Sequence, residues 1–508
     1  MGAALSWAGT DDVVSEVLFG HSFFLRHDPK SWAAMEPYPP LGTLYAAASV
    51  RAAGHTVALF DAMLAESEDG WALALDHERP RFAVIFEDSF HYLTKMCLLR
   101  MREAAFLMIR MARERGCTVI VSGSDATDRA EAYLSAGADY VIMGEGELTL
   151  LDLLRHLTTE PVCSPGHIPG LTFLDQGRPT VTPRRPVHGN LDGLPFPAWD
   201  LVDLDRYRRV WHERRGFFSL NMATSRGCPY HCNWCAKPIW GQRYNARSPE
   251  NVVMEMAWLQ DHHAPDHIWF TDDIFGLRPG WISRFADLVQ QHSGSIPFKC
   301  LCRPDLLLRD DRIPALRRAG CEIVWMGAES GSQSVLDAMD KGVRVEALHE
   351  ATAALHGAGI RVGFFLQFGY PGETRADIEA TLRLIRACRP DEIGVSVSYP
   401  LPGTRFHERV REELTTGENW HDAHDLSMLY RGPFTTSFYR RLHTLVHREF
   451  ALSRAWNELR DAARRPGRLR PRHVRMAGGA LTRLAGVAAD RLRLAVLARS
   501  RPNAAQAG

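Results

Sequence analysis

Several features are scarce in this 508-residue sequence, and each scarcity removes a class of protein. Every apolar run is broken before the roughly 20 residues a bilayer requires, so no integral membrane segment is expected. A surplus of one charge sign is missing: 60 Lys and Arg balance 60 Asp and Glu, so nothing global calls for nucleic acid. The ten cysteines lack the dense, even spacing of a secreted disulfide scaffold, and no secretory signal opens the sequence. Reduced thiols and a cytoplasmic location are the expectation. Met1-Gly-Ala-Ala-Leu-Ser6 fits the N-myristoylation pattern, but six residues match by chance and carry no weight. What is present is ordinary for a globular protein of two or three domains: 45% hydrophobic and 24% charged residues.

One stretch departs from the ordinary. Cys228-Pro-Tyr-His-Cys232-Asn-Trp-Cys235 puts three thiols in eight residues. It follows Phe218–Thr224, which reads as a strand, and the turn Arg226-Gly227, so the cysteines sit on a loop at a strand's C-terminal end. A four-iron cluster that only carries electrons takes four protein ligands; this run offers three, which leaves one iron able to bind something else. Two bland readings compete. A zinc site of three Cys and His231 is strained because His231 adjoins Cys232, and no second CxxC pair follows. A disulfide does not suit a reducing compartment. Cys97, Cys117, Cys163, Cys300, Cys302, Cys321 and Cys388 fall mostly in apolar contexts and read as small core residues.

Taken in order, residues 12–157 alternate strands and helices. Strands are expected at Val14–Phe19, Thr56–Phe60, Phe82–Phe86, Thr118–Val121 and Tyr140–Met143; helices at 41–53, ended by Gly54, and at roughly 93–115. Such alternation implies a parallel doubly wound sheet that binds ligands at its strands' C-terminal ends. Residues 158–216 are punctuated by prolines and read as a linker. From 217 to 410 the alternation resumes, with further strands at His267–Thr271, Phe298–Cys302, Glu322–Met326, Val362–Gln367 and Ile393–Val397. Six such units fit a partial (β/α)6 barrel of TIM type, whose active site is built at the strands' C-terminal ends. There stand Asp272 and Asp273, Arg303 and Asp305, Glu329-Ser330-Gly331, Gly369–Glu373 and Tyr399–Thr404. Residues 411–508 have helical periodicity in 438–463 and 480–498, and from Arg440 onward hold sixteen Arg, four acids and no Lys. A helical cap with a solvated face is favoured; a basic tail also suits an anionic substrate, nucleic acid or a membrane surface. The fold class is therefore α/β in four regions: 1–157, 158–216, 217–410 and 411–508.

The CxxxCxxC spacing, with the aromatic Trp234 before the last cysteine, resembles the radical S-adenosylmethionine (SAM) family. The first region resembles the cobalamin-binding domain found upstream of many such barrels, on Pro39-Pro-Leu-Gly42, Gly54-His55 and Gly144-Glu-Gly-Glu147. Ile168–Phe173 and Leu191–Pro197 look like the connector of the same two-domain group. The resemblance implies that Cys228, Cys232 and Cys235 hold three irons of a [4Fe–4S] cluster whose open iron chelates SAM. It puts Trp234 against the adenine, Asp272 and Asp273 at the SAM amino group, and Glu329 and Ser330, matching Gly-x-Glu-Ser-Gly, at the ribose or methionine part. Arg303, Gly369 and Gly372 complete that side; Gly123, Ser124, Gly144, Glu145 and Gly146 are implied for cobalamin. Blander roles stand beside these: a helix N-cap for Asp273, a buried salt bridge for Glu329, and a doubly wound domain holding no cofactor. No Asp-x-His-x-x-Gly run exists, Phe86–His91 being the nearest, and Gly123-Ser124 replaces the usual Gly-Gly, so cobalamin without a histidine below the cobalt is implied.

The implied chemistry is reductive cleavage of SAM to a 5'-deoxyadenosyl radical, hydrogen abstraction from an unactivated carbon of a small secondary-metabolite intermediate, and methyl transfer from methylcobalamin. An electron donor such as flavodoxin or ferredoxin is implied as partner, and no single residue is singled out as catalytic. Two alternatives remain open: a radical cyclase of the magnesium-protoporphyrin ester type, and a non-catalytic cobalamin-binding sensor with a structural cluster.

Overall fold

The computed structural model describes residues 15–91, 94, 99–159, 164–237, 239–292, 295–414, 426–463 and 471–499. Met1–Ser6, Val14, Cys97 and Cys163 lie outside the described residues.

The first sheet contains β1 (Val17–Gly20), β2 (Val57–Phe60), β3 (Phe82–Phe86), β4 (Thr118–Ser122), β5 (Tyr140–Ile142), β6 (Leu171–Asp175) and β7 (Arg178–Val181). Its order is β2-β1-β3-β4-β5-β6-β7, parallel through β5 and antiparallel after it. β3, Phe-Ala-Val-Ile-Phe, is buried at every position. Helices cover both of its faces, so it reads as a continuous apolar run rather than an alternation. Phe82, Val84 and Phe86 pack with the helix Leu41–Ala52; Ala83 and Ile85 pack with Leu99–Glu114. The strand order reverses between β1 and β3, the place where open α/β sheets bind ligands.

The region expected as a linker does more than link. β6 and β7 extend the first sheet, joined by Gln176 and Gly177 at φ 49° and 78°. Two central residues with positive φ make the type I′ turn that suits the twist of a hairpin. The helix Leu204–Arg215 then ties the halves together: Trp211 Nε1 donates to the Pro37 carbonyl at 2.7 Å and Tyr207 OH to Asp61 at 2.6 Å.

The second sheet takes β8 (Ser219–Met222), β11 (His267–Phe270), β12 (Phe298–Cys302), β13 (Cys321–Glu329), β14 (Arg361–Phe368) and β15 (Glu392–Val397) in chain order, all parallel. A two-stranded ribbon, β9 (Ser225–Arg226) and β10 (Asn245–Ala246), follows β8. The six strands form an open half-barrel. Leu220, Ile268, Phe298, Cys300, Val324, Val362 and Phe364 face the outer helices and share one core.

The helices Thr436–Ala463 and Pro471–Leu497 pack on each other beyond the barrel. Among the described residues no helix is long and apolar enough to cross a membrane.

Candidate active site

Strand alternation decides which strand-end residues face the barrel interior. On the inner face Trp325 stacks on Phe365 at 4.6 Å. A Cβ at Gly363 would lie 2.4 Å from the Trp325 ring, so that position has no room for a side chain. Trp269 and Lys299 share this face, and Asp273 and Arg303 stand just beyond the ends of β11 and β12; across the bulge in β13 Glu329 keeps to the same side, since a Cβ at Gly327 would lie 2.6 Å from its Oε1. Asp272 and Ser330 have the opposite parity, and both are occupied elsewhere. Asp272 accepts from Thr224 N at 3.0 Å and Thr224 Oγ1 at 2.8 Å, and also from Ser225 Oγ. Burial pushes its pKa up to about 6 against the pull of those hydrogen bonds. Ser330 Oγ lies 3.1 Å from Thr381 Oγ1 and accepts from Ser332 N. Of the two aspartates expected at the SAM amine, the exposed Asp273 is the one left facing the cysteines.

The cysteine loop is anchored from several sides. Asn233 N donates to the Met339 carbonyl at 3.0 Å, its Nδ2 to Ala338 O at 2.8 Å, and its Oδ1 accepts from Tyr370 OH at 2.7 Å. Lys237 Nζ bonds the Tyr230 carbonyl, and the Arg303 guanidinium lies 3.6 Å from the centre of the Tyr230 ring. Arg303 therefore supports the cysteine loop, with further bonds to Asp305 at 2.9 Å and Gly342 O at 3.1 Å. The three thiols are half-buried and unpaired with one another. Burial, with Asp273 nearby, pushes Cys235 up to about 12, and burial raises Cys228 as well. Among the described residues no three His, Cys, Asp or Glu side chains converge to clasp a single ion. Trp234 Nε1 is buried without a hydrogen-bond partner, an unspent donor beside the thiols.

Glu329 sits on a bulge in β13 at φ 54° and pairs with Lys341 at 2.7 Å, both buried. Lys341 Nζ lies 5.9 Å from the Trp234 ring and within electrostatic reach of Cys232. The bland expectation for Glu329, a buried salt bridge, is realised, and it introduces a residue that motif reading missed. The signal was available: the chain has only five lysines, so one retained beside the motif's partner strand stands out.

Gly369 has φ 80°; its N–H donates to Glu373 Oε2 at 2.7 Å and its carbonyl accepts from Tyr430 OH. A Cβ there would lie 3.1 Å from Met428 and Tyr439, so glycine is required by packing against the C-terminal region. Gly372, at φ 85°, has open space where a side chain would stand. Burial pushes Glu373 up to about 8. Between the ordinary carboxyl range and that value the native protein keeps a proton that the unfolded chain releases, so stability falls as pH rises through the window, at roughly 1.4 kcal/mol per pH unit. Glu373→Gln is expected to flatten this slope and to raise the unfolding midpoint above that of the wild type at pH 8. Parallel pH profiles of thermal unfolding for the two proteins would refute the assignment.

On the first sheet, Gly123 and Gly146 mark close approaches. A Cβ at Gly123 would lie 2.8 Å from Glu87, and one at Gly146 2.6 Å from Ser122 Oγ. Ser124 Oγ is buried with no partner, and Gly144 N donates to Thr127 Oγ1 at 3.1 Å. Packing inside the domain accounts for these glycines, and the unspent Ser124 hydroxyl is the group that fits a cofactor's polar edge. Glu145 is committed elsewhere: it bonds Arg226 Nη1 at 2.5 Å and accepts from His188 N. Glu147 takes Arg226 Nη2 at 2.8 Å. Burial works against the guanidinium's charge, but Glu147 and Glu145 outweigh it and hold its pKa above the ordinary arginine value. Arg226 also lies over the rings of Tyr45 and Phe90, and Phe90 meets Trp240 at 5.1 Å. The turn after β5 thus grips the residue two before Cys228.

A doubly wound domain is thus clamped to an open half-barrel that carries three thiols at its mouth. Residues 34–154 match the B12 binding domain family and residues 222–385 the radical SAM superfamily. The chain belongs to the radical SAM enzymes that carry an N-terminal cobalamin-binding domain, whose cofactors are a [4Fe–4S] cluster, SAM and cobalamin. It is 28% identical to an uncharacterised methyltransferase of Pyrococcus horikoshii, over 62% of this chain and 72% of that protein. It is 24% identical to the anaerobic magnesium-protoporphyrin IX monomethyl ester cyclase of Rubrivivax gelatinosus, over 74% and 67%. The fold is shared with the radical SAM methyltransferase TsrM of Kitasatospora setae, at TM-score 0.62 and 19% identity over 78% of each chain.

Proposed function

We propose that this enzyme methylates an unactivated carbon of a small secondary-metabolite intermediate, the cluster with SAM supplying a 5'-deoxyadenosyl radical and methylcobalamin the methyl group. The observation that carries this reading is the Glu145–Arg226–Glu147 clamp, which joins the strand ends of the cofactor domain to the cysteine loop. A sensor with a merely structural cluster has no need of that junction.

In this reading Cys228, Cys232 and Cys235 hold three irons. Asp273 offers a carboxylate to the SAM amine, a charge-assisted hydrogen bond. Trp234 offers its ring and its unspent N–H, while Lys341 neutralises Glu329 beside them. Ser124 Oγ serves cobalamin, and no histidine is assigned below the cobalt. Tyr430 and Tyr439, packed over the Gly369 turn, exclude water from that side. A flavodoxin- or ferredoxin-type donor supplies the electron.

The test is product analysis on the anaerobically reconstituted full chain with reductant and SAM. Both 5'-deoxyadenosine and S-adenosylhomocysteine are expected, the latter only when cobalamin is added. 5'-Deoxyadenosine alone would favour the cyclase reading, which the similarity to the Rubrivivax enzyme raises. Neither product, with the cluster loaded, would leave the sensor.

A further inference from the structure

The carboxy-terminal helix pair has one face the barrel accounts for and one it does not. Inside the pair, Asp490 is 1% exposed and accepts from Arg441 at 3.1 Å and from Arg448. Arg491 pairs with Glu449 at 2.6 Å and with Glu379, on the barrel helix Arg375–Cys388, at 3.3 Å. These bonds fix which way the helix Pro471–Leu497 faces, with Ala480, Val487 and Leu494 turned inward.

The opposite side is apolar as well. Ala485, Ala488, Ala489, Leu492 and Val496 follow helical spacing and are all exposed, Leu492 at 72% and Val496 at 66%. Leu484 adds a further exposed side chain at the stripe's edge. Arg491 and Arg493, one residue either side of Leu492, lie about 100° around the helix to its left and right, so the stripe is edged by arginine. The wider lobe is basic too. From Arg440 onward arginines outnumber acids sixteen to four; since the whole chain is neutral, everything before Arg440 carries the matching acidic surplus. Charge is thus segregated onto the C-terminal region that includes the helix with the apolar stripe.

From this combination we infer that the outer face of the Pro471–Leu497 helix docks on an anionic lipid bilayer, lying in the headgroup plane. Apolar side chains enter the acyl boundary while Arg493, on the side of the stripe away from the Arg491 ion pairs, meets lipid phosphates. A symmetric pairing of two such faces would bring two arginine-rich lobes together, which like-charge repulsion opposes. The helix lies on the membrane and does not span it.

The test is co-sedimentation of the full chain with vesicles of phosphatidylcholine alone or mixed with phosphatidylglycerol. Binding is expected to the mixed vesicles, to weaken with added salt, and to fall at least roughly tenfold in Leu492→Glu/Val496→Glu. Both positions are already exposed, so that variant should keep the wild-type unfolding midpoint. Arg493→Glu, which spares the apolar stripe, should weaken binding to the mixed vesicles only. Equal binding to both vesicle types, or binding unchanged in both variants, would overturn the inference. So would a wild-type dimer in light scattering that Leu492→Glu/Val496→Glu splits, since the face would then belong to a second copy.

Discussion

Alanine at Cys228, Cys232 and Cys235 together is expected to strip the reconstituted protein of its iron and brown colour and to bring 5'-deoxyadenosine formation to background. In the proposed reading each thiolate holds a separate iron, and the triple substitution leaves no cysteine on that loop. The fold should survive. The three side chains are half-buried on a loop rather than in the core, and Asn233 and Tyr370 hold that loop independently of the sulfurs. Iron quantitation beside a thermal unfolding curve separates loss of cluster from loss of fold. A triple variant that keeps full iron would move attention to Cys300, Cys302 and Cys321, whose sulfurs lie 3.9 and 4.0 Å apart in the core.

Arg226→Met is expected to be strongly destabilising. It leaves Glu145 and Glu147 buried without their cation, and breaking a buried ion pair from one side costs about 3–5 kcal/mol. The unfolding midpoint should fall by roughly 3–5 °C for a chain of this size. Iron occupancy should fall with it, because Arg226 lies two residues before Cys228. Arg226→Met/Glu145→Gln/Glu147→Gln should recover most of the loss, since neutral groups then meet an apolar side chain. A single variant as stable as the wild type would mean that the clamp does not hold the two halves together. Failure of the triple variant to recover would mean that the guanidinium acts through its other contacts, the Tyr45 and Phe90 rings.

What was legible without the structure was local. The cysteine triplet was readable because its three thiols are neighbours in sequence, and the strands because an apolar run bounded by turns has few other readings. The β6–β7 hairpin reads as linker because prolines surround it and its second strand, Arg178-Pro-Thr-Val181, lacks an apolar run; Gln176-Gly177 is the one local turn signal.

Which of two adjacent aspartates faces the cysteines is a different kind of fact. Asp272 and Asp273 are both carboxylates at a strand end, and either suits an amine. Strand register turns one toward Thr224 and Ser225 and leaves the other in the barrel mouth. Periodicity of two assigns them to opposite faces but does not say which face is the inside; the other five strands decide that.

The sequence by itself determined the main strands of both sheets, the cysteine triplet and the basic tail, because each depends on residues within one or two turns of one another. Only the tertiary structure decided the charge pairings. Arg226 meets Glu145 across 81 positions, Asp490 meets Arg441 across 49, and Glu329 finds Lys341 across a bulge and a helix. A buried charge must find a partner wherever the chain brings one, and nothing in the spacing of side chains along a strand or helix encodes that distance.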